Sequence, residues 1–254
     1  MGAVYTQNKS LEHAYDAVDQ GKIEDILIDP SQQSPTYTLA SLSHDEVTTI
    51  LKKLDSLAFG NSPQVTLMLA EGAYAVIKAA QLVKAQSKQQ FRGEFAQGAA
   101  LDMRFLRPKD AGNIILSPAS TVGAGATGLY AGLAGSVYTW LHAGVVNTTY
   151  ALIPSQTMEL YAAVVYLGFI DPIEVPSVEA FRYTLYGVVV PAQSCDFKMI
   201  KTFGTNELPA VKLEKPIIIP PLGIQALDVY SYRTGDDKIQ PVAIVIARSQ
   251  ELTI

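Results

Sequence analysis

Apolar residues in the first part of the chain recur at helical spacing. Ser43-His44-Asp45-Glu46 has the spacing of a capping box, and the apolar residues after it lie three or four positions apart. They are Val47, Ile50, Leu51, Leu54 and Leu57. Gly60 is placed to end the helix. The pattern therefore predicts an amphipathic helix that begins at Ser43 and ends near Gly60.

A second helical pattern follows directly. Ser62-Pro63 provides an N-cap and then a proline at the first helical position, and no further proline occurs before Pro108. The pattern predicts one long helix from Pro63 to about Gln90. Its apolar face is wide, which indicates that it is buried on more than one side.

From about Ser136 the pattern changes to short runs rich in Val, Ile, Tyr and Phe, separated by turn residues. In residues 181–186, apolar and polar side chains alternate as in a half-buried strand. Such strands at regular spacing favour an antiparallel β-sandwich or a jelly roll over βαβ units. The predicted core members of this half are Phe181, Tyr183, Leu185, Val229, Val242, Ile244 and Ile246.

These patterns divide the chain into three parts and predict an α+β fold. Residues 1–92 are helical, residues 93–135 form an extended connector with a Gly-rich segment, and residues 136–254 form a β-rich domain. A basic cluster interleaved with acidic residues begins at the end of the helical part and continues into the connector. We favour a solvated or subunit-bridging arm over a functional basic strip for this cluster. The basic residues are Arg92, Arg104, Arg107 and Lys109.

Composition adds an indication of assembly. The chain is 48% hydrophobic and only 17% charged, with a net charge of −5. A soluble monomer ordinarily carries more Lys and Glu on its surface, so part of this surface is expected to be buried against copies of the same chain. The acidic balance leaves only non-specific contact with nucleic acid.

The spacing Gly123-x-Gly125-x-x-Gly128 matches a dinucleotide-binding loop. That loop requires a strand before the glycines and an acidic residue about 20 positions after them, and no Asp or Glu occurs between Asp110 and Glu159. A membrane span is also disfavoured, because the charge-free run 111–158 lacks a core dense in Leu, Ile and Val. The glycines are interpreted as a packing or assembly element, and no cofactor is predicted.

No catalytic or metal-binding residue is predicted, and the chain is not expected to be an enzyme. Cys195 is the only cysteine, and the three histidines lie far apart in the sequence. They are His13, His44 and His142. Ser194-Cys195-Asp196 with His142 is the nearest approach to a nucleophilic set, and the acidic pairs suit helix starts and turns. The acidic pairs are Glu24-Asp25, Asp45-Glu46 and Asp236-Asp237.

The N-terminus lacks a secretory signal pattern, and Gly2 with Thr6 fits a loose myristoylation pattern without a polybasic second anchor.

The order of these parts resembles viral coat and other virion structural proteins. A helical region, an extended arm, a charge-poor Gly/Ala segment and a β-rich half follow one another. The resemblance implies a self-assembling capsid subunit located in the virion and assembled in the host cytoplasm, with other virion proteins as further partners. A shell fold with residues 63–90 as a spine helix is the competing architecture. A β-domain module that binds a receptor or glycan is the alternative function, followed by a nucleotide-dependent enzyme.

Overall fold

A computed structural model gives the arrangement of most of the chain. It describes residues 39–92, 100–107, 142–171, 177–185, 188–189, 193–194, 210–237 and 239–252. Helices lie toward the N-terminus of this part, and antiparallel strands make up nearly all of the remainder. The chain is an α+β protein.

The helical layer consists of α1 (His44–Ala58), α2 (Pro63–Glu71) and α3 (Ala73–Ser87). The predicted start of α1 is confirmed, because Ser43 is its N-cap and forms a capping box with Glu46. The Glu46 N–H donates to Ser43 Oγ at 3.3 Å, and the Ser43 N–H donates to Glu46 Oε2 at 2.8 Å. Two backbone donors that a helix start otherwise leaves without partners are therefore satisfied.

The prediction of one unbroken helix from Pro63 to Gln90 is wrong. The chain bends by 54° between α2 and α3 at Gly72. A Cβ atom at this position would overlap with the side chain of Leu167 in the sheet below and would lie 2.9 Å from the carbonyl oxygen of Met68. Glycine therefore lets the helical layer approach the sheet closely at the point where it changes direction.

The strands form two larger sheets and one short ribbon. In chain order they are β1 (Leu101–Phe105), β2 (His142–Gly144), β3 (Thr148–Thr157), β4 (Ala163–Ile170), β5 (Val178–Leu185), β6 (Val188–Val189), β7 (Gln193–Ser194), β8 (Ala210–Ile219), β9 (Ile224–Ser231), β10 (Gly235–Asp237) and β11 (Gln240–Arg248). A short helix, α4 (Ser249–Leu252), follows. The first sheet has the order β1-β11-β4-β8, the second has the order β3-β9-β5-β6 with β7 also on β5, and β2 pairs with β10.

The first sheet is covered on both faces. Alternate residues of its strands pack against the helices, for example Val165, Ile244 and Ile246. The residues between them join a second hydrophobic cluster, to which the second sheet contributes Phe181, Leu227 and Val229. Because both faces are buried, strands β4 and β11 are apolar at nearly every position.

The predicted core residues of the β-rich half are buried in two different places, and part of the predicted connector forms a strand. Phe181, Tyr183 and Val229 are buried in the cluster shared by the sheets, and Val242, Ile244 and Ile246 are buried under the helices. The side chain of Leu185 lies outside the described residues. Residues 101–105, which were placed in an extended arm, instead form edge strand β1 on β11.

Candidate interaction surfaces

Of the possible nucleophilic set, the structure describes the backbone of His142 and Ser194. Strand β2 contains His142 and strand β7 contains Ser194, and these strands belong to different sheets. Several other candidates lie outside the described residues. They are Cys195, Asp196, His13, Gly123, Gly125, Gly128, the Glu24-Asp25 pair and Gly2. Among the residues that are described, no group of three His, Cys, Asp or Glu side chains could hold a metal ion.

Two sequence interpretations change with the geometry. Asp236-Asp237, one of the acidic pairs expected at helix starts or turns, instead lies in β10, where Asp237 is the register partner of His142. In the basic cluster, Arg104 has a structural contact, because its Nε donates to the Leu252 carbonyl oxygen at 3.0 Å. Asp102 pairs with Lys53 of α1 at 3.3 Å. These contacts fasten β1 to the neighbouring elements.

Glu46 is the centre of a polar cluster in the helical layer. Its carboxylate accepts from Lys84 Nζ at 2.6 Å and from the Phe91 N–H at 2.9 Å, in addition to Ser43. Burial alone would raise the pKa of Glu46, but the hydrogen bonds from Lys84, Ser43 and Phe91 outweigh it and hold the pKa below its ordinary value of 4.5. All these contacts are internal, so the cluster stabilises the fold.

The space between the two larger sheets is filled by aromatic side chains. The rings of Phe169 and Phe181 stack with their centroids 3.8 Å apart, and Tyr166 contacts Tyr183. The Tyr166 hydroxyl donates to Gln225 Oε1 at 3.1 Å, and burial raises the pKa of that hydroxyl. These rings are all buried and form part of the core that the two larger sheets share.

One exposed apolar surface lies at the turns that follow β3 and β8. The Met158 N–H donates to the Gly223 carbonyl oxygen at 2.8 Å and joins the two turns. We call Leu160, Leu222 and Ile224 the turn surface; they are 36%, 51% and 42% exposed.

Leu222 has an unusual backbone conformation for its residue type. Its φ is 60°, in the left-handed region that favours glycine. The turn is closed by a hydrogen bond from the Gly223 N–H to the Pro220 carbonyl oxygen at 2.9 Å. Leucine therefore occupies the third turn position, where glycine is preferred when φ is positive. Leu222 is therefore exposed and also held in a backbone conformation that is costly for leucine.

A second exposed apolar surface lies where α1 meets α2. Phe59 ends α1 and is 90% exposed, and Leu67 on α2 is 51% exposed. Thr66 Oγ1 donates to the Ala58 carbonyl oxygen at 3.4 Å, which places the residues next to Phe59 and Leu67 in direct contact. We call Phe59 and Leu67, with the charged residues around them, the corner surface.

Charged residues of both signs border the corner surface. Glu71 follows Leu67 by one helical turn and forms an ion pair with Lys212 of β8; each side chain is 46% exposed. Lys52 and Asp55 precede Phe59 at helical spacing and are exposed. The border therefore contains two acidic and two basic side chains.

The outer face of the second sheet is polar. Arg182 of β5 donates to Asp228 Oδ2 of β9 from Nε at 3.1 Å and from a terminal nitrogen at 2.7 Å. The Tyr230 hydroxyl donates to Asn147 Oδ1 at 3.0 Å. This face combines an aromatic ring with fixed donors and acceptors.

Neither apolar surface was identified from the sequence. The signal for the turn surface was present in Pro220-Pro221-Leu222-Gly223, where leucine takes the position that a type II turn reserves for glycine. The signal for the corner surface was Phe59, which falls outside the helical spacing of the buried residues of α1.

Within the described ranges, no single helix has both the length and the apolar composition needed to cross a membrane. Helices α2 and α3 meet that test only as a pair, bent by 54°.

No protein-family model matches this chain, and no curated protein sequence matches it. A solved structure with weak similarity is that of dimeric latent PorU from Porphyromonas gingivalis. The sequence identity is 12% and the TM-score is 0.24; the match covers 63% of this chain and 14% of the PorU chain. A TM-score this low establishes neither a common fold nor a common function.

Proposed function

We propose that this chain is a self-assembling structural subunit of the viral capsid type, without catalytic activity, and that its two larger sheets form a jelly-roll sandwich. The observation that carries the proposal is the strand order. Eight of the strands pair in a nested order, the first with the last and so on inward. The pairs are β1 with β11, β3 with β9, β4 with β8, and β5 with β6.

This pairing is what a long antiparallel hairpin gives when it is rolled up. When such a hairpin is rolled up, two further pairs join its parts into sheets. The pair β11 with β4 completes the first sheet, and the pair β9 with β5 completes the second. The short pair β2 with β10 fits the same scheme, because it lies between the pair β1 with β11 and the pair β3 with β9. Jelly rolls of eight strands occur in viral capsid proteins and in lectins.

The surface properties favour assembly over a monomeric binding module. The chain is only 17% charged, and Phe59, Leu67 and Leu222 are each at least half exposed. An isolated subunit would leave these apolar side chains in water. Contacts between copies would cover them, and a virion is the proposed location.

Electron microscopy of the purified protein, together with sedimentation over a concentration series, tests this proposal. We expect regular particles, rings or filaments. A single species of 27.4 kDa at every concentration would contradict it.

Glycan binding is the second candidate, because lectins use the same strand arrangement and the outer face of the second sheet carries Arg182, Asp228 and Tyr230. A glycan array probed with the intact chain and with Asp228→Ala tests it. Saturable binding that the substitution abolishes, from a protein that stays monomeric, would favour this function over assembly.

A further inference from the structure

We propose that the corner surface is a twofold contact between two copies of this chain, so that the assembling unit is a dimer. This inference rests on the proposed self-assembly and specifies the surface and the symmetry of one contact. It starts from the exposure of Phe59, at 90%, and of Leu67, at 51%. These two exposed apolar side chains, one at the end of α1 and the other in the middle of α2, form the centre of a contact that excludes water.

The charges around this centre identify the occupant. In a twofold contact, if one residue contacts a second residue of the other copy, the second residue of the first copy contacts the first residue of the other. The surface must therefore be complementary to itself. Glu71 and Lys212 form a fixed pair of opposite charges beside Leu67, and both remain 46% exposed. A twofold axis that passes between Glu71 and Lys212 places Glu71 of one copy opposite Lys212 of the other, and the reverse. Lys52 and Asp55 provide a second pair of opposite sign beside Phe59.

Other occupants fit this border less well. Nucleic acid and anionic membranes require an excess of basic residues around the contact. Here Asp55 and Glu71 offset Lys52 and Lys212, so neither polyanion is favoured. A second copy presents the matching arrangement of signs without any further partner.

The first experiment measures the dimer dissociation constant by sedimentation velocity on the full chain. Phe59→Ser should weaken the dimer about 10- to 100-fold, as expected for a central aromatic contact residue. Val145→Ser is the matched control, because Val145 is 52% exposed at a different turn. It should leave the dissociation constant unchanged.

The second experiment separates contacts between copies from contacts within one chain. Glu71→Lys and Lys212→Glu should each be monomeric, because like charges then face each other across the twofold axis. Mixing the two variants should restore a dimer, since the Lys residues of one copy now face the Glu residues of the other. Loss of the internal ion pair alone cannot produce restoration on mixing.

Several results would overturn the inference. They are a wild-type chain that stays monomeric, a Phe59→Ser dimer as tight as the wild type, and a mixture of charge variants that stays monomeric. Flotation of a monomeric wild-type chain with phosphatidylcholine vesicles, abolished by Phe59→Ser, would also overturn it. Large particles unaffected by all three variants would refute the corner contact and support the proposed function. A dimer that responds to the variants as expected but never forms larger particles would support the corner contact and contradict the proposed capsid function.

Discussion

Glu46 is the residue at which three segments of the helical layer meet. Its carboxylate contacts Ser43 at the start of α1, Lys84 in the last turn of α3 and the Phe91 N–H beyond that helix. Phe91 in turn bridges to Leu101, the first residue of β1. One buried carboxylate therefore connects the helices to the edge of the first sheet.

The stability that Glu46 provides should depend on pH. The pKa of Glu46 lies below its ordinary value of 4.5 in the folded chain, so the unfolded chain binds the proton more tightly. The stabilisation is complete above about pH 5, and it is lost as the pH falls through the folded-state pKa. Glu46→Gln should lower the free energy of unfolding by about 1–3 kcal/mol at pH 7 and by less near pH 3, as measured by urea denaturation.

Asp45→Asn provides the control for this variant. Asp45 lies in the same turn but is exposed, so its loss should cost only about 0.3–0.5 kcal/mol through the helix dipole. If both substitutions lower the free energy of unfolding equally at pH 7, the buried contacts of Glu46 do not stabilise the fold more than an exposed charge does.

Leu222 leads to a prediction about its own backbone. Because its φ is 60°, Leu222→Gly should be more stable than Leu222→Ala by roughly 0.5–1 kcal/mol, although both remove the side chain. Thermal or urea unfolding of both variants measures the difference. At Ile224, which begins β9, the order should reverse, with alanine the more stable. The same order at both positions would contradict strain at Leu222.

At this scale, local chemistry was predicted from the sequence and distant contacts were not. The capping box of Ser43 and Glu46 follows from residues three positions apart. The bond from Lys84 spans 38 positions and the bond from Phe91 spans 45, and no periodic pattern relates such residues.

At the scale of elements, the bend at Gly72 is the instructive difference from prediction. The apolar pattern continues through it, because both α2 and α3 cover the first sheet. Helical spacing reports which side is buried, and it does not report whether the axis stays straight. The contact that requires glycine at position 72 is with Leu167 of β4. The sequence does not show that this strand lies beside the helices.

Strand β1 was missed for a related reason. Leu101 and Met103 face the helices and are fully buried, but the intervening residues are Asp102 and Arg104, and the flanking glycines and Pro108 indicated a connector. Pairing with β11 makes this segment a strand. In contrast, β4 and β11 were recognised because nearly all of their residues are apolar.

Removing the helical layer tests how the elements depend on one another. A chain without residues 1–92 exposes one face of the first sheet, including Val165, Leu167 and Ile244. We expect circular dichroism to remain typical of strands, while particles are lost and the protein aggregates or forms small species. A truncated chain that builds the same particles as the full chain would show that the helical layer is dispensable for assembly.

At the scale of the whole molecule, the class was predictable and the strand order was not. Alternation and turn residues indicated antiparallel sheets after a helical region. Leu101 pairs with Arg248, however, and only the completed fold relates two strands so far apart. In this strand order the first sheet is buried on both faces, because the helices cover one face and the second sheet covers the other.

This order has a consequence for synthesis on the ribosome. Strand β11 lies in the middle of the first sheet and is the last long strand to be made. The residues that separate it from β1 take roughly 7–30 s to translate at ~5–20 residues per second. During that time α1, α2 and α3 have been made, but the sheet that covers their apolar sides is incomplete. The nascent chain is therefore expected to be a substrate for holding chaperones until β11 enters the first sheet.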